Sequence, residues 1–120
     1  MIAQQVFQIE DIGDVTVVSV LCSSITSKVA EELMGYKMFP KGKKLILDLS
    51  NLSYLGSVGI GVLVVYLKRI NEHNGRLAIA GLDEECKKVI NICKLTDKFD
   101  LYPDVASALE SLGSKEVVKR

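Results

Sequence analysis

The chemistry-bearing residues of this chain concentrate in one stretch, Asp48-Leu49-Ser50-Asn51-Leu52-Ser53-Tyr54-Leu55-Gly56-Ser57-Val58-Gly59-Ile60-Gly61. An apolar segment, Leu45 to Leu47, runs into Asp48, a short polar loop follows, and Ser57 stands at the mouth of an apolar helix. The first backbone N–H groups of a helix lack intrahelical partners. A hydroxyl placed there can cap the helix, hold an anion or accept a phosphate. As a cap, Ser57 would contribute about 1 kcal/mol. As a phosphorylation candidate, it would put the phosphate at the positive end of the helix dipole, where the fold tolerates it. A partner docking at the same spot would meet about two new negative charges, so the modification would switch binding rather than folding.

Other candidates are weaker. Asp48 ends a buried strand, where open α/β sheets form ligand crevices. No second carboxylate, histidine or lysine lies close by in sequence to complete an acid–base pair, and a carboxylate bonded to loop N–H groups is the simpler reading. Gly56, Gly59 and Gly61 do not make a GxGxxG pattern and no P-loop lysine follows; close packing of helix on sheet accounts for Gly59 and Gly61. His73, the one histidine, sits near a helix end where positive charge suits the dipole, with no cysteine or second histidine at ligand spacing. Tyr54-Leu55-Gly56-Ser57-Val58 breaks the Gly-x-Ser-x-Gly elbow, and Lys41 to Lys44 reads as the solvated start of a strand. No catalytic residue, metal or cofactor is expected, and the chain reads as a binding protein rather than an enzyme.

The elements that position this stretch follow from patterning. Gln5–Ile9 and Val15–Leu21 read as strands, joined by the turn chemistry of Asp11-Ile12-Gly13-Asp14 into an antiparallel hairpin. Ser24, Thr26 or Ser27 can cap a helix through about Met38, with Val29, Ala30, Leu33 and Met34 on one face and Pro40 and Gly42 ending it. Lys43–Leu49 is apolar without alternation, as a central parallel strand requires. A helix from about Ser57 to Glu72, closed by Asn74-Gly75, and a strand Arg76–Ala80 complete a right-handed crossover. A helix over Glu84–Cys93, with Cys86, Val89, Ile90 and Cys93 on one face, a short edge strand Phe99–Tyr102 and a helix opened by Pro103 and running through Leu112 follow. The order β-β-α-β-α-β-α-β-α predicts an α/β fold: a mixed sheet of four to five strands with an N-terminal hairpin and about four packed helices. One domain, 1–112, is expected, with 113–120 a frayed tail.

Composition narrows the function classes. The 120 residues are 48% hydrophobic and 25% charged, and 15 Lys plus Arg balance 15 Asp plus Glu. A neutral chain of this size suits one soluble domain and not a nucleic-acid binder, which needs a basic surface. The start Met1-Ile2-Ala3-Gln4-Gln5 has no signal-peptide character, and the longest apolar run is about half of the roughly 20 residues that a membrane span needs. Cys22, Cys86 and Cys93 form no CxxC pair and read as reduced thiols, so a cytoplasmic location without membrane insertion is expected.

The helix after Ser57 carries a further signal. At 100° per residue, Ile60, Leu63, Val64, Leu67 and Ile70 form a core-facing stripe, leaving Val58, Val62, Val65 and Arg69 opposite. Valines gain nothing on a solvated helix face. That face is therefore covered either by another helix of this chain or by a partner.

The strand ending in Asp48-Leu49-Ser50, the loop, and Ser57-x-Gly59-Ile60-Gly61 opening an apolar helix resemble the STAS domain, and within it the bacterial anti-sigma factor antagonists. The resemblance covers nearly the whole chain. Cys93-Lys94-Leu95-Thr96-Asp97-Lys98-Phe99-Asp100-Leu101-Tyr102 is similar to the family's late segment, and Val105 to Leu109 to its last helix. The family's loop usually reads Asp-Ser-Ser (or Thr)-Gly-Leu-Gly. Its second hydroxyl residue is phosphorylated by a partner that is both anti-sigma factor and serine kinase, and the unphosphorylated antagonist binds that partner. Aligned on Gly59-Ile60-Gly61, this chain has Gly56 in place of the aspartate, Ser57 at the first serine and Val58 at the phosphoacceptor. The aspartate that often follows the leucine after strand two is also absent, since Cys22-Ser23-Ser24 follow Leu21.

The resemblance implies a cytoplasmic regulator that docks an anti-sigma factor/serine kinase-type protein. The contact residues expected are Ser23, Ser24, Thr26, Leu55, Gly56, Ser57, Val58, Gly59, Val62 and Val65, with Ser57 the phosphorylation candidate. Val58 cannot accept phosphate, which favours persistent docking over charge-gated release. The alternative is a scaffold STAS module in a signalling assembly or a transporter complex. A homodimer is left open.

Overall fold

The computed structural model describes residues 6–36 and 42–118, with side chains through Gly113. Strands β1 (Phe7–Ile12) and β2 (Val15–Val20) form the expected antiparallel hairpin, turning at Gly13 with φ +63°. Three crossovers follow through α1 (Ser27–Met34), α2 (Ser57–Glu72) and α3 (Glu84–Ile92), linking β2 to β3 (Lys44–Asp48), β4 (Arg76–Ala80) and β5 (Asp100–Tyr102). The strands lie in chain order, β1-β2-β3-β4-β5, and every pair after the hairpin is parallel. A single turn of 3-10 helix, Thr96–Lys98, precedes β5, and α4 (Val105–Val118) closes the fold.

The sheet is covered on both faces, which explains why the central strands are apolar without alternation. On one face Val18, Val20, Leu45, Leu47, Leu77 and Ile79 pack with residues of α1, α2 and α3. On the other, Val15, Val17, Ile46, Ala78 and Ala80 pack beneath Ala108 and Leu112 of α4. No helix among the described residues is long and apolar enough to cross a membrane.

Several boundaries differ from the sequence reading. α1 stops at Met34 rather than about Met38, because Gly35 takes the cap and its N–H turns back to the carbonyls of Glu31 and Glu32. Pro40, expected to end that helix, lies outside the described residues. β1 extends to Ile12. The last helix starts at Val105 rather than Pro103; Asp104 precedes it and accepts from the Ser107 N–H at 2.8 Å, and the helix continues past Leu112 to Val118. In α3, Cys86 and Ile90 are buried as expected, but Cys93 lies past the helix end and is exposed.

The largest correction concerns α2. Its buried residues are Gly59, Val62, Leu63, Tyr66 and Ile70. Val62 is 2% exposed, whereas Val64, placed in the core by periodicity, is 42% exposed. The stripe is turned because α1 packs alongside α2 and is tied to it at its C-terminal end. The Tyr66 hydroxyl donates to the Leu33 carbonyl at 2.6 Å and the Arg69 guanidinium to the Met34 carbonyl at 3.1 Å. Two α2 side chains thus bond carbonyls of the last turn of α1, which lack partners further along the helix; that of Leu33 also accepts from the Tyr36 N–H. Burial pushes the Tyr66 phenol well above its ordinary pKa, with Tyr36 adding to the shift.

Candidate functional site

The loop between β3 and α2 lies at the carboxyl edge of the sheet, held against the segment that follows β2. Leu49, Leu52 and Leu55 recur at three-residue spacing and are all buried, so one side of the loop is fastened to the core. The other side is latched by backbone. Ser23's carbonyl accepts from the N–H of Ser53 at 2.8 Å and of Tyr54 at 3.2 Å, and Ser24 bridges Tyr54 in parallel. Asp48 is a structural carboxylate. Its Oδ1 accepts from the Ser50 N–H at 3.1 Å and its Oδ2 from the Ser19 hydroxyl at 3.3 Å.

Ser57 is not the cap of α2. The cap position is Gly56, in extended conformation and without a side-chain bond, and Ser57 is the first helical residue. A one-residue shift is decisive here, since an N-cap side chain reaches back to the N–H two or three residues on while a first-turn side chain does not. Ser57 is exposed and its hydroxyl makes no hydrogen bond among the described residues. Val58 beside it is 42% exposed. The first turn carries no acidic residue.

Of the contact residues expected from sequence, the structure brings Ser23 and Ser24 beside the loop and leaves Ser57 and Val58 exposed, with Gly56 and Val65 partly so. Leu55, Gly59 and Val62 are buried, so they are core and not contact surface. Leu55 closes against Gly59, where a Cβ would stand 2.7 Å from the Leu55 Cδ1, and Val62 belongs to the core cluster that also holds Val29 and Leu33 of α1. Thr26 is exposed, but its hydroxyl caps α1, accepting from the Val29 N–H at 3.3 Å.

Two residues on this surface were not singled out by sequence reasoning in their actual roles. Tyr54 is 66% exposed. Its ring lies across Gly56, where a Cβ would stand 2.9 Å from both the Tyr54 Cε2 and hydroxyl oxygen. The signal for it was the leucine spacing, which turns position 54 outward. Gly61, expected to let helix and sheet pack closely, is exposed, and a Cβ there would meet nothing within 4 Å among the described residues. Helix–sheet packing therefore does not account for that glycine.

His73 caps the C-terminal end of α2, its Nδ1 2.8 Å from the Arg69 carbonyl. No group of three His, Cys, Asp or Glu residues among those described is placed to hold a metal ion. Lys44 pairs with Asp14 at 2.9 Å and Lys43 lies 3.8 Å from Asp11; both side chains are mostly covered, so the start of β3 is less solvated than expected, and Lys41 lies outside the described residues.

Comparison with known proteins gives this geometry a lineage. An anti-sigma-B factor antagonist of Listeria monocytogenes is 28% identical over 88 residues, which is 73% of this chain and 76% of that protein. The crystal structure of an anti-sigma factor antagonist from Mycobacterium paratuberculosis superposes with a TM-score of 0.72 at 25% identity, over 88% of this chain and 91% of that one. A chain of the stressosome, a signal integration and transduction hub, shares the fold alone, with a TM-score of 0.71 at 19% identity over 94% of this chain and 100% of that one. The family profile described as STAS domain matches residues 4–108. With the five-stranded mixed sheet and four helices in the matching arrangement, this chain belongs to the STAS domain family and is similar to its anti-sigma factor antagonists.

Proposed function

We propose that this chain is a non-enzymatic cytoplasmic regulator that docks an anti-sigma factor of the serine-kinase type through the loop 51–58 and the start of α2. The observation that carries the reading is Gly61. An exposed glycine inside a helix costs about 1 kcal/mol relative to alanine, and nothing among the described residues approaches it closely enough to require it. A partner that comes near the helix backbone would require it. The surrounding surface suits such a partner: Val58 and Val64 are exposed, Ser57 is free of hydrogen bonds among the described residues, and the first turn has no charge.

Docking is not gated by phosphate at Val58, the position aligned with the family's phosphoacceptor, because valine carries no hydroxyl. The test is to incubate the protein with its cognate anti-sigma factor kinase and ATP and to map phosphate by mass spectrometry, with binding measured in parallel. Tight binding without phosphate supports the reading. Phosphate on Ser57 together with release moves the switch to that residue and overturns ungated docking.

A scaffold role in a signalling assembly is the second reading. It is favoured by apolar residues exposed away from the loop, Ile9 and Ile12 on the edge strand β1 and Ile92 on α3. Light scattering on the purified protein discriminates the two: a stable oligomer favours the scaffold, and a monomer that binds only the anti-sigma factor favours the antagonist.

A further inference from the structure

Nothing among the described residues requires an aromatic side chain at position 54, which is 66% exposed. Leu49, Leu52 and Leu55 fasten the loop to the core, and Tyr54 projects from it. Its backbone is nonetheless fixed, by the bond from its N–H to the Ser23 carbonyl and the bridge to Ser24. Its ring lies across Gly56, and its hydroxyl has no hydrogen-bond partner among the described residues. Leu21, also exposed, lies at the same carboxyl edge, since β2 and β3 run parallel. A tyrosine on a fixed backbone, with two side-chain torsions to order, loses little entropy on docking, and such residues carry much of the binding energy of protein interfaces.

We propose that Tyr54 is the aromatic anchor by which this surface grips its anti-sigma factor partner, and that Gly56 is a positioning residue that sets the pose of the ring. The inference rests on the docking reading above. The partner feature it fits is an apolar pocket wide enough for one ring. Gly56 acts through Tyr54: any Cβ at position 56 must push the ring aside, since 2.9 Å is closer than carbon atoms pack. The displaced atoms are the far end of an exposed side chain, so the ring moves at little cost to the fold.

The experiment titrates the purified cognate anti-sigma factor with wild type, Tyr54→Ala, Tyr54→Phe and Gly56→Ala. Fluorine NMR of protein labelled with 3-fluorotyrosine, with the Tyr54 resonance assigned by its loss in Tyr54→Phe, reports the ring itself. Tyr54→Ala is expected to bind about tenfold more weakly or worse with an unchanged unfolding midpoint, and Tyr54→Phe to stay within about threefold of wild type. Gly56→Ala is expected to shift the Tyr54 resonance and to weaken binding several-fold. Wild-type affinity in Tyr54→Ala, a loss in Tyr54→Phe equal to that in Tyr54→Ala, or an unmoved resonance in Gly56→Ala would each overturn the inference while leaving the docking reading intact. A wild-type chain that does not bind the anti-sigma factor would overturn both.

Discussion

Replacing Gly61 by alanine should move stability and binding in opposite directions. The added Cβ meets nothing within 4 Å among the described residues, so the substitution has no steric cost against them. Alanine in place of glycine inside a helix gains about 0.5–1 kcal/mol. For a domain of this size that raises Tm by about 2–4 °C. In a complex where the partner approaches the backbone at Gly61, the same methyl group is overpacked, at a cost of about 1–3 kcal/mol. That is a loss of affinity from about fivefold to more than a hundredfold. Gly59→Ala is the control. It offers the same gain in helix propensity, but its Cβ stands 2.7 Å from the Leu55 Cδ1 and 3.5 Å from Ile25. Moving a buried leucine off its rotamer outweighs the gain, and a net loss of about 1 kcal/mol is expected. Thermal unfolding and calorimetric titration of the anti-sigma factor read both effects. A more stable Gly61→Ala protein with unchanged affinity would refute the close approach, and a less stable one would refute the open geometry at that helix face.

Tyr66→Phe removes a buried 2.6 Å bond but leaves the Leu33 carbonyl its second donor, the Tyr36 N–H at 3.2 Å; the loss should therefore stay near about 1 kcal/mol in urea unfolding rather than reach the full penalty of an orphaned group. Burial, reinforced by Asp83, pushes the Cys86 thiol from its ordinary 9.0 up to about 11. The folded state then holds a proton that the unfolded chain releases, so this contribution is complete below pH 9 and is lost between pH 9 and about 11. Tyr66 adds a second loss that begins above pH 10. Unfolding measured across pH 8–11 should show the decline, and Cys86→Ala should flatten it between pH 9 and about 11. In acid the sign reverses. Hydrogen bonds from the N–H of Cys86 and of Ser107 hold the Asp83 and Asp104 carboxyls below their usual range. Their contributions are present at neutral pH and lost as pH falls through those depressed values, which Asp83→Asn and Asp104→Asn should reveal as a shallower acid limb.

The sheet was legible because its central strands are apolar on both faces and its hairpin turns at Gly13, two signals that belong to local chain geometry. The phase of α2 was not legible. That helix is apolar around most of its circumference, and periodicity gives the angle between Val62 and Val64 without saying which side a second helix covers. The answer lies in Tyr66 and Arg69, whose polar ends reach the carbonyls of Leu33 and Met34. Only tertiary packing decides that. The cap of α2 fell one residue from its expected place, and that single residue separates a serine that stabilises a helix from one that faces solvent. At the loop, the outward Tyr54 was not read from the sequence, although the leucines at 49, 52 and 55 that bury the loop's other side were in plain view. Its rest on Gly56 depends on two side-chain torsions that sequence does not carry.

The central claim is that the partner docks on the start of α2 through an uncharged, apolar contact. Titration of the cognate anti-sigma factor with wild type and Val58→Asp tests it most directly. An aspartate in the first turn is favourable for the helix dipole, which offsets part of the lost apolar cover, so the fold should stay within about 1 kcal/mol of wild type. An unpaired carboxylate buried in the contact should cost about 3 kcal/mol or more, a loss of at least about a hundredfold in affinity. A folded Val58→Asp protein that binds as tightly as wild type would contradict the account and move the docking surface away from this helix start.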